Sequence, residues 1–79
     1  MKEAIRILGI DPGLRHTGWG VIDLVGSRLS HVGHGVINID PDLPMADRLA
    51  GIFYAIGELV KTYAPHHSCL LYTSDAADD

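Results

Sequence analysis

Apolar positions recur along this chain with two different periods. Residues 4–10, Ala-Ile-Arg-Ile-Leu-Gly-Ile, are apolar and β-branched until Asp11-Pro12-Gly13 interrupts them. They predict a first strand ended by a turn. Residues 18–25, Gly-Trp-Gly-Val-Ile-Asp-Leu-Val, predict a second strand, and Gly26-Ser27 supplies a two-residue connection suited to a type II′ hairpin. A third strand is expected from about Arg28 to Ile39, with Gly33 and Gly35 pointing to a bulge or a close backbone contact. Asp40-Pro41-Asp42-Leu43-Pro44 reads as a loop.

The period then changes. Met45, Leu49, Ile52, Phe53, Ile56, Leu59, Val60 and Tyr63 follow the three-to-four spacing of one helical face. Pro44 suits the first turn, Asp42 is the candidate cap, and Asp47 lies near the positive end of the dipole. Lys61 lies near the other end, and Pro65 stops the helix. Gly51 and Gly57 each cost about 1 kcal/mol relative to Ala in a helix, so close packing on the sheet is their expected return. After Pro65, His66-His67-Ser68 leads into the strand-like run Cys-Leu-Leu-Tyr-Thr. Residues 69–73 are expected to pair in parallel beside residues 5–10, because a strand-helix-strand crossover is the usual parallel connection. The order is βββα, the first half of an α/β domain.

Composition narrows the class. With 79 residues, 47% hydrophobic and 20% charged, the chain is globular rather than disordered or fibrous. A chain this short buries only about 60% of its unfolded surface, and one cysteine cannot make an internal disulfide. No apolar run approaches the roughly 20 residues of a membrane span. Arg6 and Asp11 interrupt any signal-peptide core, so a soluble, cytoplasmic protein without a membrane partner is expected. Ten acidic against six basic residues give −4, which by itself argues against a nucleic-acid partner. Without residues 69–79 the balance is seven acidic against six basic, or −1.

Chemistry concentrates in LGIDPGLRHTGWGVI, residues 8–22. An apolar strand there delivers one carboxylate, Asp11, to its C-terminal end. The sheet would support it from behind and solvent would reach it from the front. Such a placement suits Mg²⁺, which binds through one or two carboxylates and keeps several waters. Gly13, Gly18 and Gly20 leave room for a bulky polyanion. Taken alone, Asp-Pro-Gly is more often simply a turn in which Asp11 bonds its own backbone, and the carboxylate by itself is weak evidence of a site.

The full pattern is more specific. It resembles the opening of the RuvC-type Holliday junction resolvases, the crossover junction endodeoxyribonucleases of bacteria, from Ile7 through Ile22. The likeness continues through Leu29, Gly35-Val36-Ile37, Leu43-Pro44, Arg48-Leu49 and Tyr63-Ala64-Pro65. It implies an α/β, ribonuclease H-like fold, of which this chain carries the N-terminal βββα half, truncated before the sheet is complete. It also implies a homodimer acting on four-way junction DNA, with branch-migration helicases as partners. The implied reaction is Mg²⁺-dependent hydrolysis of paired phosphodiesters, two ions per site activating water and stabilising the leaving oxygen. Asp11 falls on the family's first catalytic, metal-binding aspartate. No nucleic-acid-binding residue is assigned.

The resemblance fails at one informative place. The family's second acid, a Glu on the fourth strand, would fall on Leu71, and its remaining acids lie later in a longer chain. The last eleven residues, CLLYTSDAADD, back-translate in frame onto a transposon-end sequencing adapter. Residues 1–68 are therefore expected to be the N-terminal part of the nuclease domain and 69–79 a non-native tail. The competing reading is a natural tail with Asp75, Asp78 and Asp79 as ligands.

Other residues carry weaker signals. Arg15 and His16 flank Asp11, where they either meet DNA phosphates or solvate the loop. His31 and His34 differ by three, which in a regular strand puts them on opposite faces, at the surface. His66-His67 reads as a solvated pair after the helix, Trp19 as core or dimer packing, and Cys69 lacks the framework of a nucleophile. Three function classes follow: a truncated resolvase, inactive as this chain; an ATP-binding kinase or actin-type relative, for which only Thr17 offers a hydroxyl; or a non-catalytic βββα module. Tight ATP binding would favour the second, and behaviour as a stable monomer the third.

Overall fold

The computed structural model describes residues 3–13 and 16–70. Three antiparallel strands come first: β1 (Ile5–Asp11), β2 (His16–Val25) and β3 (Arg28–Asn38). The helix α1 (Met45–Tyr63) follows, then β4 (His67–Leu70). The sheet order is β3-β2-β1-β4, with β4 parallel to β1. The chain therefore runs from one edge of the sheet, through α1, to the far side of β1.

Each boundary has a local cause. Gly26 has φ 63° while Ser27 stays at negative φ, the pattern of a type II′ turn, and Val25 pairs with Arg28 across it. β2 starts two residues earlier than the alternation predicts, because His16 and Thr17 pair with Asn38 and Ile37, and the His16 and Asn38 side chains bond each other. At the helix start, the Pro44 carbonyl accepts from the amides of Asp47 and Arg48, both at 3.0 Å, and no side chain caps the helix. Asp42 is thus not the cap. Its amide instead donates to the Asp40 carboxylate at 2.9 Å, which turns the preceding loop. At the other end, Ala64 adopts the left-handed conformation (φ 47°, ψ 57°) and donates to the Val60 carbonyl at 2.8 Å.

The fourth strand lies where expected but begins at His67 rather than Cys69. Ile7, Leu8, Gly9 and Ile10 pair with His67, Ser68, Cys69 and Leu70. Residues 71–73 lie outside the described residues. His66 and His67 are exposed, as expected, but His66 is also tied to β1: its amide donates to the Arg6 carbonyl at 2.8 Å, and its Nδ1 accepts from the Arg6 amide at 2.9 Å. These two bonds dock the chain on β1 and set the register of β4. Arg6 also forms a two-pronged pair with Asp23 (2.8 and 3.0 Å) and donates to the Tyr63 carbonyl at 3.1 Å. One residue thereby joins β1, β2 and the end of α1.

The core lies between α1 and one face of the sheet. Leu8 and Val21 are fully buried, with Ile10 and Ile37 nearly so. Trp19, Val32, Ile56, Leu59 and Tyr63 pack around that cluster, which makes Trp19 a core residue. Its ring stands 5.6 Å from that of Tyr63, and a side chain at Gly35 would collide with it. The predicted helical face divides in two. Ile52, Ile56, Leu59 and Tyr63 lean on the sheet, whereas Met45, Leu49, Phe53 and Val60 remain exposed. Gly51 sits tight against Ile39, as close packing requires, but nothing lies within 4 Å of where a Gly57 side chain would start.

Candidate active site

β1 is an interior strand, paired with β2 on one side and β4 on the other, and Asp11 is its last residue. The ladder holds the backbone to that point, Asp11 pairing with Gly18. The turn beyond is equally constrained, because a side chain at Gly13 would strike the carbonyl of His16. The carboxylate is exposed to solvent and faces away from α1, its Cβ 3.9 Å from the side-chain position of Gly18. The expected geometry, an acid supported from behind and open in front, is the geometry present.

Around Asp11 the sheet surface is low. The register places Gly9 and Gly20 opposite each other on the same face, one pair inward from Asp11 and Gly18 skipping the alternate residues. Beyond a Gly20 side-chain position, the nearest group is the Gly33 carbonyl at 4.0 Å. Backbone is therefore accessible beside the carboxylate, as close approach by a phosphate chain requires. Further down the same face come Ile7 with Ile22 and Ile5 with Leu24. Val36, opposite Gly18 on β3, is exposed there.

Thr17 goes elsewhere. Its side chain is 2% exposed, under the helix, on the face opposite Asp11. It lines an apolar cavity of about 340 Å³ with Ile10, Ile37, Leu49 and Ile52. A hydroxyl in that position cannot meet a phosphate beside Asp11, which removes the feature that an ATP-binding reading needed. Arg48 borders the same cavity, and its Nε is buried without a hydrogen-bond partner among the described residues. His16 is held by Asn38 at the edge of the site, while Arg15 lies outside the described residues.

As a metal centre the site is incomplete. A carboxylate oxygen suits a hard cation, but among the described residues no three His, Cys, Asp or Glu side chains converge. Asp11 fits one ligand of an ion and does not by itself fit a two-ion site. Leu71, Asp75, Asp78 and Asp79 lie outside the described residues. His31 and His34, expected on opposite faces, lie on the same one. β3 carries a bulge, Val21 pairing with Gly33 but Ile22 with His31, so Val32 is the extra residue. That extra residue resets the alternation, and the two rings meet on the face that bears Asp11, His31 Nε2 standing 2.9 Å from His34 Nδ1. Gly33 signalled the bulge, but its effect on the histidines needed the register.

Comparison with known proteins places this arrangement. The family model for "Crossover junction endodeoxyribonuclease RuvC" matches residues 7–72. The crossover junction endodeoxyribonuclease RuvC of Hyphomonas neptunium is 64% identical over 66 residues, which is 84% of this chain and 40% of that protein. Thermus thermophilus RuvC, solved in complex with a Holliday junction substrate, superposes with a TM-score of 0.74 at 24% identity, over 94% of this chain and 49% of the other. The Aquifex aeolicus PPX-GPPA enzyme shares the fold more distantly, with a TM-score of 0.64 at 13% identity over 86% of this chain and 26% of the other. The fold is ribonuclease H-like. No described helix is long and apolar enough to cross a membrane. The chain spans about 40% of the length of the Hyphomonas relative, and over that span it belongs to the RuvC crossover junction endodeoxyribonuclease family.

Proposed function

We propose that this chain is part of a metal-dependent endonuclease that resolves four-way DNA junctions by paired phosphodiester hydrolysis, and that Asp11 is one of its metal-binding catalytic carboxylates. One observation carries the reading: the only acid of the family-like opening stands at the exposed end of an interior strand, beside a glycine-floored surface. The Thermus relative's complex with a Holliday junction supports the substrate class. Mg²⁺ is the ion expected, since it is small, takes oxygen ligands and retains water. A two-fold homodimer fits a symmetric substrate, with branch-migration helicases as further partners and the cytoplasm as the compartment.

As it stands, the 79-residue chain is expected not to cleave a junction. A single carboxylate holds a hydrated Mg²⁺ weakly, and hydrolysis by paired ions needs each ion fixed. Dimerisation supplies no remedy, because each copy brings its acid to its own site. We assign residues 69–79 as a non-native tail, replacing a segment whose Glu belongs where Leu71 now stands.

The test is gel-resolved cleavage of a labelled four-way junction, with and without Mg²⁺. In the full-length parent, Asp11→Asn should abolish cleavage. Junction binding should persist, since removing a negative charge does not weaken attraction to phosphates. Symmetric nicking by the short chain, or undiminished cutting by the full-length variant, would sink the assignment of Asp11.

A further inference from the structure

The geometry points to a second, chemically different metal site: His31 and His34 form a bidentate imidazole site for a nitrogen-seeking dication of the Ni²⁺ and Cu²⁺ class. Three observations lead to it. The extra residue at Val32 brings the two imidazoles to one face of an edge strand, where both side chains are exposed. Their nearest nitrogens are 2.9 Å apart and their ring centroids 5.0 Å apart. The facing residues on β2 are Gly20 and Ile22, which offer no competing ligand and, at Gly20, no bulk.

Ligand type selects the ion class, since imidazole nitrogens suit Cu²⁺ and Ni²⁺, and the separation agrees with it. Metal–imidazole bonds of about 2.0–2.1 Å meeting at a right angle put the two nitrogens about 2.9 Å apart, whereas a tetrahedral angle needs about 3.4 Å. The spacing equals that of cis positions on a tetragonal or octahedral ion, which the two exposed rings reach by turning from each other toward a common point, and such geometry with imidazole ligands is the preference of Cu²⁺ and Ni²⁺. Without metal, a single N–H is shared between the two nitrogens. Binding moves that proton to a distal ring nitrogen and leaves both facing lone pairs for the ion; water completes the shell.

This site is distinct from Asp11 in place and in chemistry. The register sets His34 two strands across and two residues along from Asp11, a separation of roughly 12 Å between their backbones. No single ion bridges that distance. An oxygen-seeking Mg²⁺ has no reason to prefer the imidazoles, and a Ni²⁺ ion gains most from them.

Isothermal titration of the chain with Ni²⁺ tests the inference, with circular dichroism on every variant to verify that the fold is kept. His31→Gln and His34→Gln should each weaken binding at least about tenfold, and the double variant should be no weaker than either single one, because a bidentate site is lost when one arm is lost. His67→Gln, on β4, should bind as the parent does. In 6 M urea, where the bulge no longer holds the rings together, the affinity should fall to that of the single variants. Independent, additive losses from the two substitutions would overturn the site. So would an equal loss from His67→Gln, or affinity that survives urea.

Discussion

Arg6 shows how much of this small structure rests on single side chains. Its guanidinium holds the Asp23 carboxyl below the ordinary carboxylate range, chiefly by direct hydrogen bonding and with help from the nearby His66. The same pairing raises the Arg6 guanidinium. The sign of the pH effect follows from Asp23. Its folded value lies below its unfolded value of about 3.9, so its contribution is full at neutral pH and fades as pH falls through the folded value. Urea unfolding at a series of pH values should therefore give a stability that declines below about pH 4–5. The Asp23→Asn variant is expected to be less stable at pH 7 and to lose less on acidification. An unchanged acid limb in the variant would mean that other carboxylates set it. Asp23 was legible only as one polar position in a strand; its partner lies 17 residues away and appears only when β1 and β2 pair.

Among the elements, α1 was readable to its last residue because three-to-four spacing, Pro44 and Pro65 all agree on its bounds. Agreement between independent local signals is what makes an element predictable. The shortfalls arise where one signal acts alone. Asp42 has the chemistry of a cap, yet Leu43 and Pro44 separate it from the helix and Asp40 captures its amide. Alternation in β3 gives the correct strand, but one inserted residue reverses which face His31 presents. Helical glycine is also ambiguous: Gly51 meets Ile39, while Gly57 meets nothing. Gly57→Ala should therefore stabilise the chain by roughly 0.8–1 kcal/mol, measured by chemical unfolding. Destabilisation would place an unseen surface against that side of α1.

At the scale of the whole molecule, both layers have apolar surface left over. Phe53 is 80% exposed on the helix, and Leu29 65% on the sheet. A domain that buries one face of a helix and one face of a sheet has used only part of each. This matches the share of its relatives that the chain spans. The position of Asp11 was legible because a strand end and a turn locate it; no partner acid was legible beside it, and among the described residues no three His, Cys, Asp or Glu side chains converge. The assignment of residues 69–79 as foreign has its own check, the genomic sequence downstream of codon 68. It should diverge at or just after Ser68 and encode Glu at the position of Leu71. A genomic copy that reads Cys-Leu-Leu-Tyr-Thr and stops after Asp79 would overturn it.

The placement of β4 has a consequence in time. Every pairing between β1 and β4 joins residues 60 apart, Ile7 with His67 through Ile10 with Leu70, whereas β2 and β3 close across two residues at Gly26-Ser27. Long-range pairing is slow to form because its loop must be closed first. On a ribosome adding about 5–20 residues per second, the three-strand meander, complete at Asn38, emerges roughly 1.5–6 s before β4, the segment that covers its open side. Throughout that interval the apolar backbone edge of Ile5–Ile10 stays available to any other nascent strand. Edges of this kind are templates for aggregation. The strand that carries the catalytic candidate is thus also the last to be protected during synthesis, and a chaperone that shields extended apolar segments would act on it first.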